Sequence, residues 1–124
     1  MEIAIIAHDG KKVEMVQFLN KNLELLRQEN IKLIATGTTG RKAEIAGFKV
    51  KRMLSGPLGG DAQIAARVAE GKTKMVLFFK DPLASHAHEV DINMLLRVCD
   101  VHNVPIATNE ASAQLLLSAI TLLP

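Results

Sequence analysis

Residues 31–40 read IKLIATGTTG, an apolar run that passes directly into glycines and threonines. Four more short apolar runs lie at 3–7, 48–54, 75–79 and 104–107. Most of these runs are nearly continuous rather than alternating, which is typical of strands covered on both faces. Because strands of that kind belong to parallel sheets, the sequence predicts a parallel sheet.

Segments with helical patterning separate the apolar runs. The first, 12–29, carries apolar side chains at steps of three and four along one predicted face: Val13, Val16, Leu19, Leu23 and Leu26. Gly47 and Gly71 follow the next two segments, at the position where a helix commonly ends in the left-handed conformation. Two further segments, 91–102 and 111–120, complete the alternation. We therefore predict a single three-layer α/β domain over the whole chain, with a mainly parallel five-stranded sheet and helices on both faces.

The composition supports one ordinary core and excludes several classes of protein. The chain has 124 residues, of which 48% are hydrophobic and 23% charged, so it is neither disordered nor a repeat fibre. It contains four Phe, no Tyr and no Trp, which argues against recognition of nucleic acids by base stacking. The net charge of +2 is too small for a binder of polyanions, although it favours a small anionic ligand.

Cysteine usage and the N-terminus indicate the compartment. Cys99 is the only cysteine, so it cannot form an internal disulfide, and its place on the apolar side of a predicted helix is typical of a small buried hydrophobe. The apolar run at 3–7 is too short for a signal peptide or a membrane span. We therefore expect a cytoplasmic protein without a membrane partner.

Polar clusters follow every predicted strand. They are His8–Lys12, Thr36–Gly40, Ser55–Asp61, Lys80–Pro82 with His86 and His88, and Thr108–Glu110. In open α/β sheets, ligands bind outside the carboxyl ends of the strands. The sequence therefore predicts that these clusters form one site at one edge of the sheet.

Two of the clusters resemble anion-binding loops. Thr36–Gly40 and Ser55–Gly56 combine hydroxyl groups with glycines that permit a close approach of the backbone, and a helix start offers free N–H groups. The alternative is ordinary turn chemistry, with a threonine as the N-cap residue. Neither stretch has the spacing of a P-loop or of a dinucleotide-binding glycine motif. Lys12 is either a cationic contact of the same site or a solvated helix lysine.

Two aspartates at the predicted edge also have two interpretations. Asp61 follows Gly59-Gly60 before a helix, so it is either an N-cap or an acid–base group. Asp81 precedes Pro82, which is typical of a turn or of an N-cap with proline in the first helical position. Capping does not require both carboxylates to face one crevice, so a shared chemical role stays open.

The segment with two histidines raises the question of a metal. His88 lies near a predicted helix start, where a neutral imidazole is favoured and can donate to a developing oxyanion; the alternative is an exposed loop histidine. His86, His88 and Asp91 have a spacing that metal ligands can have. No second Cys/His cluster completes such a site unless His8 joins it, so we expect no metal.

Several segments, read in order, carry a resemblance to a known family. They are IAHD at 6–9, ATGTTG at 35–40, LSGPLGGD at 54–61, FFKDPL at 78–83, HEVD at 88–91 and PIATN at 105–109. In this order and spacing they resemble the methylglyoxal synthases, over residue 3 to about residue 117. A regulatory domain of carbamoyl phosphate synthetase shares the fold. The alternative function is therefore a non-catalytic domain that senses phosphate or a nucleotide.

The resemblance implies a lyase that converts dihydroxyacetone phosphate to methylglyoxal and inorganic phosphate without cofactor or metal. It implies that Asp61 is the base, that His88 handles protons on the substrate oxygens, that Asp81 assists and that Asp91 orients His88. The implied substrate and phosphate contacts are His8, Lys12, Thr36, Gly37, Thr38, Thr39, Ser55 and Gly56. It also implies a homohexamer that phosphate inhibits cooperatively.

This chain departs from the family pattern in two places. Ala87 and Val90 stand where the family has prolines around the histidine. No arginine follows Arg97, whereas the family has a C-terminal arginine that is a candidate phosphate contact across a subunit boundary. The resemblance therefore does not supply this arginine contact to the phosphate.

Overall fold

Strands and helices alternate along the chain in the computed structural model, which describes residues 1–83 and 92–122. The strands are β1 (Glu2–Ala7), β2 (Lys32–Ala35), β3 (Val50–Arg52), β4 (Thr73–Phe79) and β5 (Ile106–Ala107). The helices are α1 (Lys12–Lys21), α2 (Leu23–Leu26), α3 (Gly37–Ile45), α4 (Gly60–Ala69), α5 (Ile92–Val101) and α6 (Glu110–Ile120), with short 3-10 turns at Asp9–Lys11 and Gly56–Leu58. None of the helices in these two ranges is both long enough and apolar enough to cross a membrane.

The five strands form one parallel sheet in the order β3-β2-β1-β4-β5. The central strand β1 pairs with β2 on one side, with Ile3 opposite Leu33, and with β4 on the other, with Ile6 opposite Phe78. The chain moves outward from β1 through β2 to β3 and then returns to β4, so the strand order reverses between β1 and β4. This reversal opens a crevice at the carboxyl ends of the two strands, where sheets of this kind bind ligands.

Side chains of β1 alternate between two cores. Ile3 and Ile5 face a core that includes side chains of α1, α3 and α6. Ala4 and Ile6 face the opposite core, which is closed by α4 and α5. The predicted fold class is therefore confirmed: helices cover both faces of a parallel five-stranded sheet in three layers.

The helix predicted over 12–29 is interrupted. Helix α1 ends at Lys21, and Asn22, with φ −111° and ψ 25°, separates it from the short α2. The Asn22 amide donates to the carbonyl oxygen of Phe18 at 2.9 Å and to Gln114 Oε1 at 2.9 Å. An asparagine side chain that bonds backbone groups in this way competes with the helix, which explains the break.

The predicted buried face of α1 is also partly wrong. Val13 is 68% exposed, whereas Met15 and Phe18 are completely buried together with Leu19. Both sets of side chains follow helical spacing, so periodicity alone does not separate them. The larger Met15 and Phe18 face the sheet, and Phe18 packs on Phe79 with ring centroids 5.3 Å apart.

Two predicted strands are shorter than expected because they lie at the edges of the sheet. The run 48–54 contributes only β3, in which Lys51 and Arg52 are exposed, and the run 104–107 contributes only the two residues of β5. Short edge strands with charged side chains resist pairing with another chain. The prediction that strands are covered on both faces therefore holds for β1 and β4 but not for β3.

A polar cluster lies at the opposite end of the strands, at the start of β1. Arg67 in α4 donates to both carboxylate oxygens of Glu2, at 2.9 and 2.6 Å, and the hydroxyl of Thr73 donates to the same carboxylate at 2.6 Å. The hydrogen bond from Arg67 is the largest cause that lowers the pKa of Glu2, while burial opposes it. The carboxylate is 12% exposed, so its charge depends on these partners.

We expect the variant Arg67→Met to lose about 2 kcal/mol of stability at pH 7, because it leaves a charged, mostly buried carboxylate without its main partner. A lowered pKa in the folded state contributes stability above the unfolded value of about 4.3, and that contribution disappears as pH falls through the folded pKa. The difference from wild type should therefore shrink below about pH 4 in urea unfolding. Lys21→Met, which removes an exposed ion pair with Glu110, is the control and should cost much less. An equal loss of stability for Arg67→Met at pH 7 and below about pH 4 would contradict this interpretation.

Candidate active site

The crevice between β1 and β4 is built around His8. Its backbone N–H donates to Phe79 O at 3.1 Å, which continues the pairing of the two strands beyond Ala7. Its Nδ1 accepts a hydrogen bond from the backbone N–H of Asp81 at 2.9 Å. These two contacts bring the polar ends of β1 and β4 together at the point where the strand order reverses.

The hydrogen bond to Nδ1 assigns the tautomer of His8. An Nδ1 atom that accepts a hydrogen bond carries no proton, so a neutral His8 carries its proton on Nε2 and donates from there. The ring is buried and packs edge-on against Phe78, with centroids 5.1 Å apart. His8 is therefore a fixed hydrogen-bond donor, and its predicted role in substrate binding stays a prediction.

We expect nitrogen-15 NMR of the histidine side chains to show the Nε2–H tautomer for His8 at neutral pH, because the Asp81 amide occupies Nδ1. The exposed His102 is the internal control and should show the averaged shifts of a solvated ring. Protonation of His8 at Nδ1 at neutral pH would contradict the assignment.

Asp81 combines the predicted turn with a place in the crevice. Its Oδ1 accepts from the backbone N–H of Leu83 at 3.2 Å, which confirms the turn. Its Oδ2 lies 2.5 Å from the point that a Cβ atom on Gly10 would occupy. The carboxylate therefore sits against the backbone of Gly10, beside His8, and only a residue without a side chain leaves that space open.

The prediction that Asp61 is an N-cap is wrong. The N-cap of α4 is Gly59, in the left-handed conformation with φ +103°, and Asp61 is the second residue of the helix. Glycine adopts that conformation at little cost, so the helix begins before Asp61 rather than at it. Asp61 is 9% exposed in the first turn of α4, where the helix dipole favours a negative charge.

Gly60 holds the start of α4 against the loop that follows β3. Its N–H donates to Ser55 O at 3.0 Å. A Cβ atom at Gly60 would overlap the carbonyl oxygen of Leu54 and lie 2.8 Å from the carbonyl carbon. This close approach brings Asp61 next to the predicted anion-binding stretch Ser55–Gly56.

The two predicted anion-binding loops are in direct contact. The N–H of Gly37 donates to Leu54 O at 3.1 Å, and a Cβ atom on Gly37 would lie 3.0 Å from the backbone nitrogen of Ser55. The N–H of Gly40 is taken by Thr36 O at 2.8 Å. Helix geometry leaves the N–H groups of Thr38 and Thr39 as first-turn donors without an intrahelical partner.

The three threonines of the first loop have two different roles. Thr36 is the N-cap of α3 by backbone position, and its side chain makes no capping hydrogen bond. Its hydroxyl lies 3.4 Å from that of Thr39, which accepts from the backbone N–H of Ala7 at 3.2 Å. Both hydroxyls are buried and fasten α3 to β1, whereas Thr38 is exposed at the surface. Of the three threonines, Thr38 is the one open to a ligand.

Lys12 is not a solvated helix lysine. Its side chain is 9% exposed, and its ammonium group pairs with the carboxylate of Asp9, which is 83% exposed. Asp9 belongs to the polar cluster His8–Lys12 but was not among the predicted site residues. The spacing of three residues between Asp9 and Lys12, around the turn at Gly10, is a signal that could have found it.

Comparisons with known proteins agree with this arrangement. A family model described as an MGS-like domain matches residues 14–108. The chain belongs to the MGS-like family. It is 52% identical over 118 residues to a methylglyoxal synthase of Clostridium botulinum, covering 94% of this chain and 98% of that one. It is 54% identical over 121 residues to a methylglyoxal synthase of Carboxydothermus hydrogenoformans, covering 97% and 98% of the two chains.

A solved structure agrees with the fold of this MGS-like chain. The crystal structure of methylglyoxal synthase from Elizabethkingia anophelis superposes with a TM-score of 0.89 at 42% sequence identity. The match covers 94% of this chain and 76% of that one. The resemblance that the sequence segments indicated is therefore confirmed.

Three residues considered in the sequence lie outside the described part of this MGS-like chain. They are His86, His88 and Asp91. Within residues 1–83 and 92–122, no group of three His, Cys, Asp or Glu side chains is arranged to hold a metal ion. Burial raises the pKa of the Cys99 thiol to about 11, so the thiol stays protonated and acts as a small buried hydrophobe, as predicted.

Proposed function

We propose that this chain acts as a methylglyoxal synthase, converting dihydroxyacetone phosphate to methylglyoxal and inorganic phosphate. The observation that carries the proposal is the convergence of Asp61, Asp81 and His8 with two hydroxyl- and glycine-containing loops at one edge of the sheet. The identity to named methylglyoxal synthases over nearly the whole chain supports it.

The reaction begins at the hydroxymethyl carbon, C3 of the substrate. Asp61 removes a proton from C3, and the electron pair moves toward the C2 carbonyl oxygen to form an enediolate. The enediolate then expels phosphate by breaking the C1–O bond while the C3 hydroxyl gives up its proton to the departing phosphate. The resulting enolate takes back at C1 the proton that Asp61 removed, and becomes methylglyoxal. Each bond electron pair stays within the substrate or leaves with phosphate, so the sequence of steps uses neither an oxidant nor a cofactor.

Orientation decides between elimination and simple isomerisation. Phosphate leaves readily only when the breaking C–O bond stands perpendicular to the plane of the enediolate. Loops that grip the phosphate outside that plane therefore select elimination. In this proposal, Thr38 and Ser55, on the two contacting loops, donate to the phosphate and stabilise its developing charge.

The remaining polar groups serve the substrate oxygens in this proposal. His8 donates from Nε2 to a substrate oxygen, and the Lys12 ammonium adds positive charge close to it. His88 transfers protons on the oxygens, Asp91 orients His88, and Asp81 assists in proton handling. Gly56 and Gly37 provide close backbone approach at the phosphate end.

We expect His88→Gln to lower kcat by about a hundredfold while leaving the affinity for phosphate nearly unchanged, because general acid–base groups contribute about that much. The measurement is steady-state turnover of dihydroxyacetone phosphate together with phosphate binding by calorimetry. His102→Gln, at the exposed end of α5, is the matched control. A loss that appears only in phosphate affinity would contradict a role in proton handling.

The proposal extends to assembly and location. We propose a cytoplasmic homohexamer that binds inorganic phosphate as an inhibitor. Leu54 and Leu58, on the loop beside the site, are 49% and 70% exposed, which suits a contact between subunits. Light scattering on the purified chain measures the assembly, and a monomer would contradict this part of the proposal.

One assay separates the proposed function from the alternatives. Purified protein is incubated with dihydroxyacetone phosphate in the presence of a chelator, and both methylglyoxal and phosphate are measured. We expect equal amounts of the two products and no effect of the chelator. Phosphate binding without turnover would instead indicate a sensing domain, and turnover that the chelator stops would indicate a metal-dependent enzyme.

A further inference from the structure

A shallow cleft lies beside the two anion-binding loops, on the side of the edge strand β3. Its volume is about 430 Å³. It is lined by Gly37 and Thr38 from the first loop, Ser55 from the second, and Arg41, Arg52 and Met53. The lining therefore combines loop donors with two guanidinium groups, and no carboxylate of residues 1–83 or 92–122 belongs to it.

We propose that Arg41 and Arg52 form the cationic wall of a phosphate subsite in this cleft. The ligand is a phosphate group, either that of a phosphorylated substrate or free inorganic phosphate. The planar guanidinium group presents paired N–H donors that match two phosphate oxygens. As a substrate subsite, the proposal rests on the proposed function; as a site for free phosphate, it stands without it.

The position of Arg52 is built into the packing of α3 on β3. A Cβ atom on Gly40 would lie 2.6 Å from Cγ of Arg52 and 3.2 Å from its Cδ. The aliphatic part of Arg52 therefore lies against the bare backbone of Gly40, in the first turns of α3. This contact limits the rotamers of Arg52, whose side chain lines the cleft together with Gly37 and Thr38.

Both arginines have guanidinium N–H groups that can donate to a phosphate. Nε of Arg52 pairs with Glu44 Oε1 at 2.8 Å, and the two side chains are 48% and 43% exposed, so the pair is weak in water. That bond uses one of the five N–H groups of the guanidinium. Arg41 has no ion-pair partner within residues 1–83 and 92–122. Lys12, by contrast, is already paired with Asp9.

The test compares Arg41→Gln and Arg52→Gln with Arg27→Gln. Arg27 follows the end of α2 and lies near Gly47, before the start of β3 and away from the carboxyl ends of the strands, and its substitution removes the same charge. Each cleft variant should weaken binding of inorganic phosphate about tenfold, as expected for one charge-assisted hydrogen bond, and should raise KM for dihydroxyacetone phosphate rather than lower kcat. Arg27→Gln should match wild type in both measurements.

A further variant should strengthen phosphate binding rather than weaken it. Glu44→Gln removes the carboxylate that competes for Arg52, so phosphate should bind about threefold more tightly. A change in KM alone would identify the substrate phosphate as the ligand, and a change in phosphate affinity alone would identify free phosphate. If the double variant Arg41→Gln/Arg52→Gln matches Arg27→Gln in both measurements, the proposal is overturned. Phosphate binding by calorimetry needs no turnover, so a wild-type protein inactive on dihydroxyacetone phosphate would refute only the proposed function.

Discussion

Replacing Asp61 with asparagine should lower kcat for dihydroxyacetone phosphate by about a thousandfold, because an amide cannot accept the C3 proton. The two side chains have nearly the same shape, and Gly59 rather than Asp61 is the N-cap of α4, so the helix should form normally. Affinity for inorganic phosphate should stay close to that of wild type, since the proposed contacts of phosphate are the loops rather than the base. The measurement is turnover together with phosphate calorimetry.

The matched control for this prediction is Asp100→Asn. Asp100 lies exposed near the end of α5, away from the crevice, so the same substitution there should leave turnover unchanged. Circular dichroism and thermal unfolding of both variants check that neither has lost its fold. A near wild-type rate for Asp61→Asn would remove Asp61 from the role of base and leave Asp81 as the candidate carboxylate.

Sequence patterns predict the centre of this fold better than its margins. Strands β1 and β4 are covered on both faces, so continuous apolar runs identified them. Strand β3 lies at an edge, where burial no longer decides the residue types, and its predicted length was too great. The break at Asn22 depends on a side-chain bond to Gln114, which is distant in the sequence. Local periodicity carries no information about such a partner.

The sequence likewise predicts some features of the candidate site and not others. The rule that ligands bind at the carboxyl ends of strands predicted that His8, Ser55 and Asp81 would gather at one edge. It did not predict that Lys12 is buried against Asp9 or that Arg52 lies over Gly40. The contact between Arg52 and Gly40 depends on a close approach between two chain segments, which a missing side chain permits. Gly40, which the sequence placed in an anion-binding loop, is therefore also a contact surface for Arg52 in the structure.

Gly60→Ala should test this idea with a large effect. The added methyl group would overlap the carbonyl oxygen of Leu54 and lie 3.1 Å from that of Ser55, so the loop after β3 and the start of α4 must move apart. We expect a loss of about 3 kcal/mol in the free energy of unfolding, as for severe overpacking. We also expect kcat to fall about a hundredfold, because a displacement of about 1 Å between catalytic groups has that effect. Urea unfolding and steady-state turnover measure the two losses.

Gly71→Ala is the control variant. It measures the stability lost when a glycine is replaced without a steric clash. Gly71 has φ +78°, so alanine is strained there by about 1 kcal/mol, but no atom lies within 4 Å of the added Cβ. This control should therefore lose some stability and no activity. If Gly60→Ala behaved in the same way, the contact between α4 and the Leu54–Ser55 backbone would not position Asp61. If Gly60→Ala instead lost turnover selectively, the result would show that the close packing permitted by glycine at position 60 keeps the proposed base beside the phosphate loop.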